Sequence, residues 1–331
     1  MWARDSLPPA MIVFLVLDII AVGLRVFVRT RMSKSFGYDD WAMVAALAGY
    51  ITLCALTFVS LANGYGSDEV RPEWNPITGV KFFVASTLAY VIVVYVAKIS
   101  VALVLYRIAV TNKPIRALLV VSMVILTLWT IVTTLIVAFQ CTPLPVAWGE
   151  GTGTCLPAYV LANTGFSISA MDIASSFLYA GLPVVLLKGV QLSSKMKASI
   201  IVLLGLGVVS SIATVIRLKY LIDVANLEAP TGVEAANAYL TTFVYSITEL
   251  GLTLFTASLA ALRPLLKYVP FGNSTSHGSS AYGHSKKKSE LRSNMGPAVK
   301  LDDLETASQE HIIPQGHIQK ETQYRVEYTN V

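Results

Sequence analysis

Histidine, charge and cysteine are all scarce in this chain, and each scarcity removes a class of function. The four histidines, His277, His284, His311 and His317, all lie beyond the last long apolar run. A histidine-ligated metal site among the apolar segments is thereby excluded, and with it membrane desaturase and zinc-protease chemistry. A Gly-rich phosphate loop and a nucleophile elbow are also missing, so the chain reads as a non-enzyme, with no cofactor and no metal expected. Charged residues make up 14% of the chain, against about a quarter in soluble globular domains. The formal net charge is +5, but the cations are dispersed over loops instead of forming a stripe, which argues against a nucleic-acid partner. Three cysteines cannot build a disulfide framework.

Apolar length takes the place of charge. Hydrophobic residues reach 54%, with a mean hydropathy of +0.62. Seven runs stand out: Pro8 to Val28, Trp41 to Ala62, Phe82 to Leu105, Leu118 to Ala138, Tyr159 to Leu187, Ala198 to Ile222 and Ala238 to Leu262. Each exceeds the roughly 17 residues that a helix rising 1.5 Å per residue needs to cross a bilayer. Val, Ile and Thr enrich some runs, but barrel strands would be shorter and alternate polar with apolar residues, and Trp41 to Ala62 shows no such period. The fold class expected is all-α, a seven-transmembrane helix bundle over residues 10–270. A short external N-terminus, residues 1–9, precedes it. From Gly272 onward Ser, Gly, Lys, Asn and Glu dominate without periodicity, so residues 271–331 are expected to be a disordered tail.

Orientation follows from the loops. Arg29, Arg31 and Lys34, then Arg107, Lys113 and Arg116, then Lys188, Lys195 and Lys197, and finally Arg263 and Lys267 all fall on one side, whereas the other side carries mostly Asp and Glu. The positive-inside rule places the N-terminus outside and the C-terminus in the cytosol. No basic n-region precedes the first run, so it is expected to remain as an anchor. Cys141 and Cys155 share an outer loop in an oxidising compartment and are expected to form a disulfide, the alternative being two free thiols; Cys54 reads as a small core residue.

Ionisable groups inside the spans carry the functional information, because each costs about 2.5 to 3.5 kcal/mol at the bilayer centre and must face protein or water. Counting along the runs places Asp18, Asp172 and Glu249 near the midplane, Lys98 and Arg25 toward the cytosol and Arg217 toward the outside. Thr242, Tyr245, Ser246, Glu249, Thr253 and Thr256 recur at helical spacing on one face, as do Ser169, Asp172, Ser176 and Tyr179 in the fifth run. Such stripes can line a polar cavity that takes a small-molecule ligand. Two readings stay open: Lys98 pairs with Asp172 or Glu249 only to let the helices pack, with Arg217 satisfied by outer-loop carboxylates or lipid headgroups, or these residues form a ligand site or switch. A microbial-type retinal pigment needs a lysine in the last helix, and Ala238 to Leu262 holds none.

A set of residues at the helix ends is distinctive. Arg25, Arg29, Gly37, Tyr38, Asp39, Asp40 and Trp41 join the first two helices; Lys98, Ser100, Tyr106, Arg107 and Ile108 lie on the third. Cys141, Pro143, Trp148 and Cys155 mark the outer loop, Asn163, Asp172 and Pro183 the fifth helix, Gly207 and Arg217 the sixth, and Glu249, Arg263 and Pro264 the seventh. In order and spacing, over about residues 10–270, the chain resembles the fungal rhodopsin-domain family of integral membrane proteins, which includes the satratoxin-cluster membrane protein and the Pth-eleven-like receptors. Physically, Asp39 and Asp40 suit a helix N-terminus and Trp41 an interfacial anchor. The resemblance implies a receptor-like protein of the plasma membrane with an unknown small-molecule ligand and a cytosolic signalling partner. The Gly-x-Gly-x-His pattern frequent in the family runs here Gly64, Tyr65, Gly66, Ser67, Asp68, without the histidine, and no cysteine-rich external module is expected. No acidic residue precedes Arg107 and no Asn-Pro-x-x-Tyr follows Glu249, so animal-type receptor switches are missing. A proton-coupled or small-molecule carrier using the same acids, and a membrane partner of secondary metabolism, are the alternatives.

Overall fold

The computed structural model describes residues 2–67, 69, 71–110, 112–186, 205, 207, 209, 212–220, 222 and 232–262, all within a unit spanning Met1–Asn273. The expected tail, Arg263 and Pro264, the four histidines and the basic loop from Lys188 to Lys197 lie outside the described residues.

Helix α1, Trp2–Phe27, runs directly into a π-helical turn, Val28–Met32, that carries Arg29 and Arg31. It is followed by α2, Tyr38–Ala62; α3, Pro76–Ile108; α4, Lys113–Ala138; and α5, Ala158–Leu186. Residues 212–220 are helical and are called α6, and α7 is Gly232–Ala261. Helix starts are set by local chemistry. Asn75 caps α3 by accepting from the Thr78 amide at 3.2 Å, and Pro76 occupies the first turn, where its missing N–H costs nothing.

Five described helices are long and apolar enough to cross a bilayer: α1 with its π-helical continuation, α2, α3, α4 and α7. Only 11% of the apolar span of α4 is buried, against 56% for α7, so α4 is peripheral and α7 central. The outer face of α4, with Val121, Val124, Leu128 and Leu135 exposed, suits hydrocarbon. Helix α2 packs along α3, and α1 along α7. Leu7, Met11 and Val22 of α1, Tyr50 and Leu53 of α2, Phe83 and Tyr90 of α3, and Leu240, Ile247 and Leu254 of α7 form the shared interior. Gly251 lets α1 approach α7: a Cβ there would meet the Phe14 ring at 2.6 Å.

The loop after α4 is a covalent hairpin. Strand β1, Cys141–Thr142, pairs antiparallel with β2, Thr154–Cys155, placing Cys141 opposite Cys155. The two form the expected disulfide. A short 3-10 helix, Leu144–Trp148, fills the loop, and Lys81 of α3 stacks its ammonium 5.3 Å from the Trp148 ring.

Candidate functional site: three buried polar clusters

The first cluster sits where α1 ends and α2 begins. Arg25 is 1% exposed, and all three of its nitrogens are used. Nε bonds Asp40 Oδ1 at 2.8 Å, Nη2 bonds Asp39 Oδ2 at 3.0 Å, and Nη1 donates to the Ala257 carbonyl of α7 at 3.0 Å. The π-helical turn brings Arg29 within 3.8 Å of both carboxylates, and Arg107 of α3 lies 3.5 Å from Asp39 Oδ1. Ser100 of α3 donates to the Asp39 carbonyl at 2.7 Å. One guanidinium thus ties α1 to α2 and α7, and Asp39 brings in α3. Its planar fork is what makes such a three-way junction possible.

Asp40 does act at the start of α2 as expected, accepting from the Gly37 amide at 3.1 Å. Sequence reasoning assigned both acids to the helix terminus and missed that Arg25 is their chief partner. Recurrence of Arg25 with Asp39 and Asp40 in one signature was the available signal. Trp41 is 65% exposed and packs edge-on against Phe36, as an interfacial residue would.

The second cluster lies in the middle of the bundle. Lys98 Nζ is 3.0 Å from Asp172 Oδ1; it also donates to Ser176 Oγ and, at 3.3 Å, to the Asp172 carbonyl oxygen. Arg217 donates to the Tyr90 hydroxyl at 2.7 Å, lies over the Tyr90 ring, and approaches Glu249 Oε2 at 3.9 Å. The Glu249 carboxyl in turn approaches that of Asp172. Four ionisable groups from α3, α5, α6 and α7 therefore meet, all buried, with formal charges that cancel. Of the two partners open to Lys98, the structure selects Asp172. Arg217 is held inside by Tyr90 and Glu249, where the packing alternative looked to outer-loop carboxylates or lipid headgroups. Tyr90 was not foreseen; a tyrosine within a long apolar run, needing a partner for its hydroxyl, was the sign.

Between Val94, Lys98, Asp172, Glu249 and Thr253 the helices close without space for a water. The polar stripe of α7 is largely satisfied within its own helix: Thr242, Ser246 and Thr253 donate to the carbonyls of Ala238, Thr242 and Glu249. A separate cleft of about 40 Å³ reaches Lys98 and Asp172 from between α3, α4 and α5.

The third feature is Asp18, which the sequence grouped with the midplane acids. It is fully buried, but against Tyr50 and Cys54 of α2, and neither carboxylate oxygen has a hydrogen-bond partner. Among the described residues no three acids, cysteines or histidines converge as a metal site.

The family described as "Fungal rhodopsin domain" matches residues 24–268. The chain is 26% identical over 276 residues to the "Polyenoic acids biosynthesis gene cluster protein Ba17b" of Metarhizium anisopliae, covering 78% of this chain and 72% of that protein. It is 24% identical over 328 residues to the "Wortmanamides biosynthesis cluster protein C" of Talaromyces wortmannii, covering 89% and 83%. No solved structure matches.

Proposed function

The chain belongs to the fungal rhodopsin domain family of multi-pass membrane proteins, and from that premise we propose a receptor-like, non-retinal sensor of seven helices. In this reading the N-terminus is outside, the C-terminus cytosolic, the membrane the plasma membrane, and no reaction is catalysed. The observation that carries it is the buried quartet Lys98, Asp172, Arg217 and Glu249, in which each cation has a second acid within the same cluster. Such a set offers alternative pairings within one cluster, which is what a two-state element needs.

Both ends of the device share helices. Lys98 and Ser100 lie on α3, so a shift that re-pairs Lys98 also moves the hydroxyl bound to Asp39. Glu249 and Ala257 lie on α7, whose carbonyl holds Arg25. A ligand that favours one pairing by about 1 to 3 kcal/mol suffices to bias the cytosolic end, where a signalling partner would read the change.

Proton-coupled or small-molecule transport is the second reading, favoured by the approach of two midplane acids, Asp172 and Glu249, an arrangement suited to passing a proton. The names of the two relatives also support a place beside secondary metabolism for this chain. Glu249→Gln in reconstituted vesicles separates the classes. The sensor reading expects loss of the ligand-driven change at the cytosolic end with no proton flux in either protein. Substrate-driven proton flux in the wild type, lost in the variant, selects the carrier, and full activity of the variant in both assays removes Glu249 from the site.

A further inference from the structure

The cleft between α3, α4 and α5 has a floor, a mouth and a depth. Its floor is the Lys98 and Asp172 pair, its walls include Tyr95, Thr133 and Met171, and its rim is Trp129. Trp129 is 39% exposed, so the cleft reaches the protein surface there. Helix α4 runs Lys113–Ala138, which sets Trp129 about 14 Å from one end and about 24 Å from the other. Against a hydrocarbon core of roughly 30 Å, that mouth opens into lipid tails and not into water.

The floor also states what it accepts. Lys98 directs its hydrogen bonds to Ser176 and to a backbone carbonyl and faces Asp172 Oδ1 at 3.0 Å as an ion pair, while Asp172 Oδ2, also buried, has no hydrogen-bond partner. The unmet need is for a donor. Lys98, Arg217, Asp172 and Glu249 already cancel in formal charge, so an ionic head would arrive uncompensated in a low-dielectric site, a cost an uncharged head avoids. A volume of about 40 Å³ admits a hydroxyl or amide and excludes a ring system.

We propose that this cleft is a binding site for a long-chain, uncharged amphiphile that enters sideways from the bilayer and donates its terminal hydroxyl or amide hydrogen to the Asp172 carboxylate. The inference rests on the sensor reading only in treating the occupant as a regulatory ligand. Binding there loads the Asp172 side of the quartet and weakens its hold on Lys98, which is the re-pairing the sensor needs.

The test uses the full chain in phosphatidylcholine nanodiscs and three photoreactive probes with the same alkyl chain: a primary alcohol, its methyl ether and its carboxylate. The alcohol should label peptides bearing Trp129 or Met171 about tenfold more than the ether, the ratio one charge-assisted hydrogen bond supplies. Thr133→Phe overfills the cleft without touching a charge, since that hydroxyl serves only the Trp129 and Thr130 carbonyls; it should abolish labelling, and because overpacking lowers stability, protection of the buried Cys54 thiol from a thiol-reactive dye shows that the bundle stays folded. The paired change Lys98→Met with Asp172→Leu removes both charges together, and alcohol and ether should then label alike. Equal labelling of wild type by alcohol and ether, or labelling that survives Thr133→Phe, means annular lipid only and overturns the proposal. Stronger labelling by the carboxylate, or competition by a short water-soluble diol, overturns it as well. Labelling as described with no movement at the cytosolic end refutes the sensor and leaves the cleft standing, whereas a ligand response that survives Thr133→Phe refutes the cleft alone.

Discussion

Removing Arg25 is the sharpest perturbation the structure offers. In Arg25→Ala two carboxylates that are 4% and 0% exposed lose their chief partner, and the Ala257 carbonyl loses its donor. Arg29, at 3.8 Å from both acids, recovers part of the loss but makes no close bond. Breaking a buried pair by deleting one member costs about 3 to 5 kcal/mol. At about 2 to 4 °C per kcal/mol for a chain of this size, the thermal midpoint should fall on the order of 10 °C. Arg25→Lys should fall by about half as much, since one ammonium cannot serve both carboxylates and the carbonyl in one plane. Cys54 provides the readout: it is buried and free, while Cys141 and Cys155 are bridged, so a thiol-reactive dye reports unfolding of the bundle directly. A fall below about 2 °C for Arg25→Ala, or a Lys variant as stable as wild type, would show that the junction does not hold the helices together.

In the central cluster, Lys98→Ala or Asp172→Ala alone should destabilise by about 3 kcal/mol, and both together by less than the larger single loss, because the pair removed as a unit strands no charge; additive losses in the dye assay would refute the pairing. Gly37→Ala would place a Cβ 2.6 Å from Asp39 Oδ1 and 3.2 Å from Arg107 Nη1, and should cost about 1 to 3 kcal/mol in the same assay, with no effect if Asp39 is free to turn away. Cys141→Ser and Cys155→Ser should each lower stability by about 3 kcal/mol, the double variant no more than either, since a single bridge closes the loop; unequal single effects would point to a role for one thiol outside the bridge.

Much of the architecture was legible in the chain. The five described spans fall on runs visible from hydropathy, and α2 starts beside Asp39 and Asp40, whose chemistry suits a helix N-terminus, whereas α3 starts at Pro76, ahead of the run read from Phe82, because Asn75 caps it there. The bridge between Cys141 and Cys155 followed from a shared loop. The site was only half legible: Lys98, Asp172, Arg217 and Glu249 were all named, while Tyr90 and the hold of Arg25 on the start of α2 were not, and Ser100 was named only within the signature and not as the donor to Asp39. Asp18 shows the limit from the other side. Its depth in the first run matched that of the other acids, yet it points to Tyr50 and Cys54 and joins no ion pair among the described residues.

Composition along each run is enough to demand a bilayer and a helix, because the cost of leaving backbone groups or charges in hydrocarbon is paid segment by segment and depends on nothing distant. Partnership is different. Lys98 meets Asp172 across 74 positions, and Arg25 meets Ala257 across 232. Whether such groups touch depends on how each helix is turned about its axis and which helices are neighbours, and only packing of the whole bundle settles that.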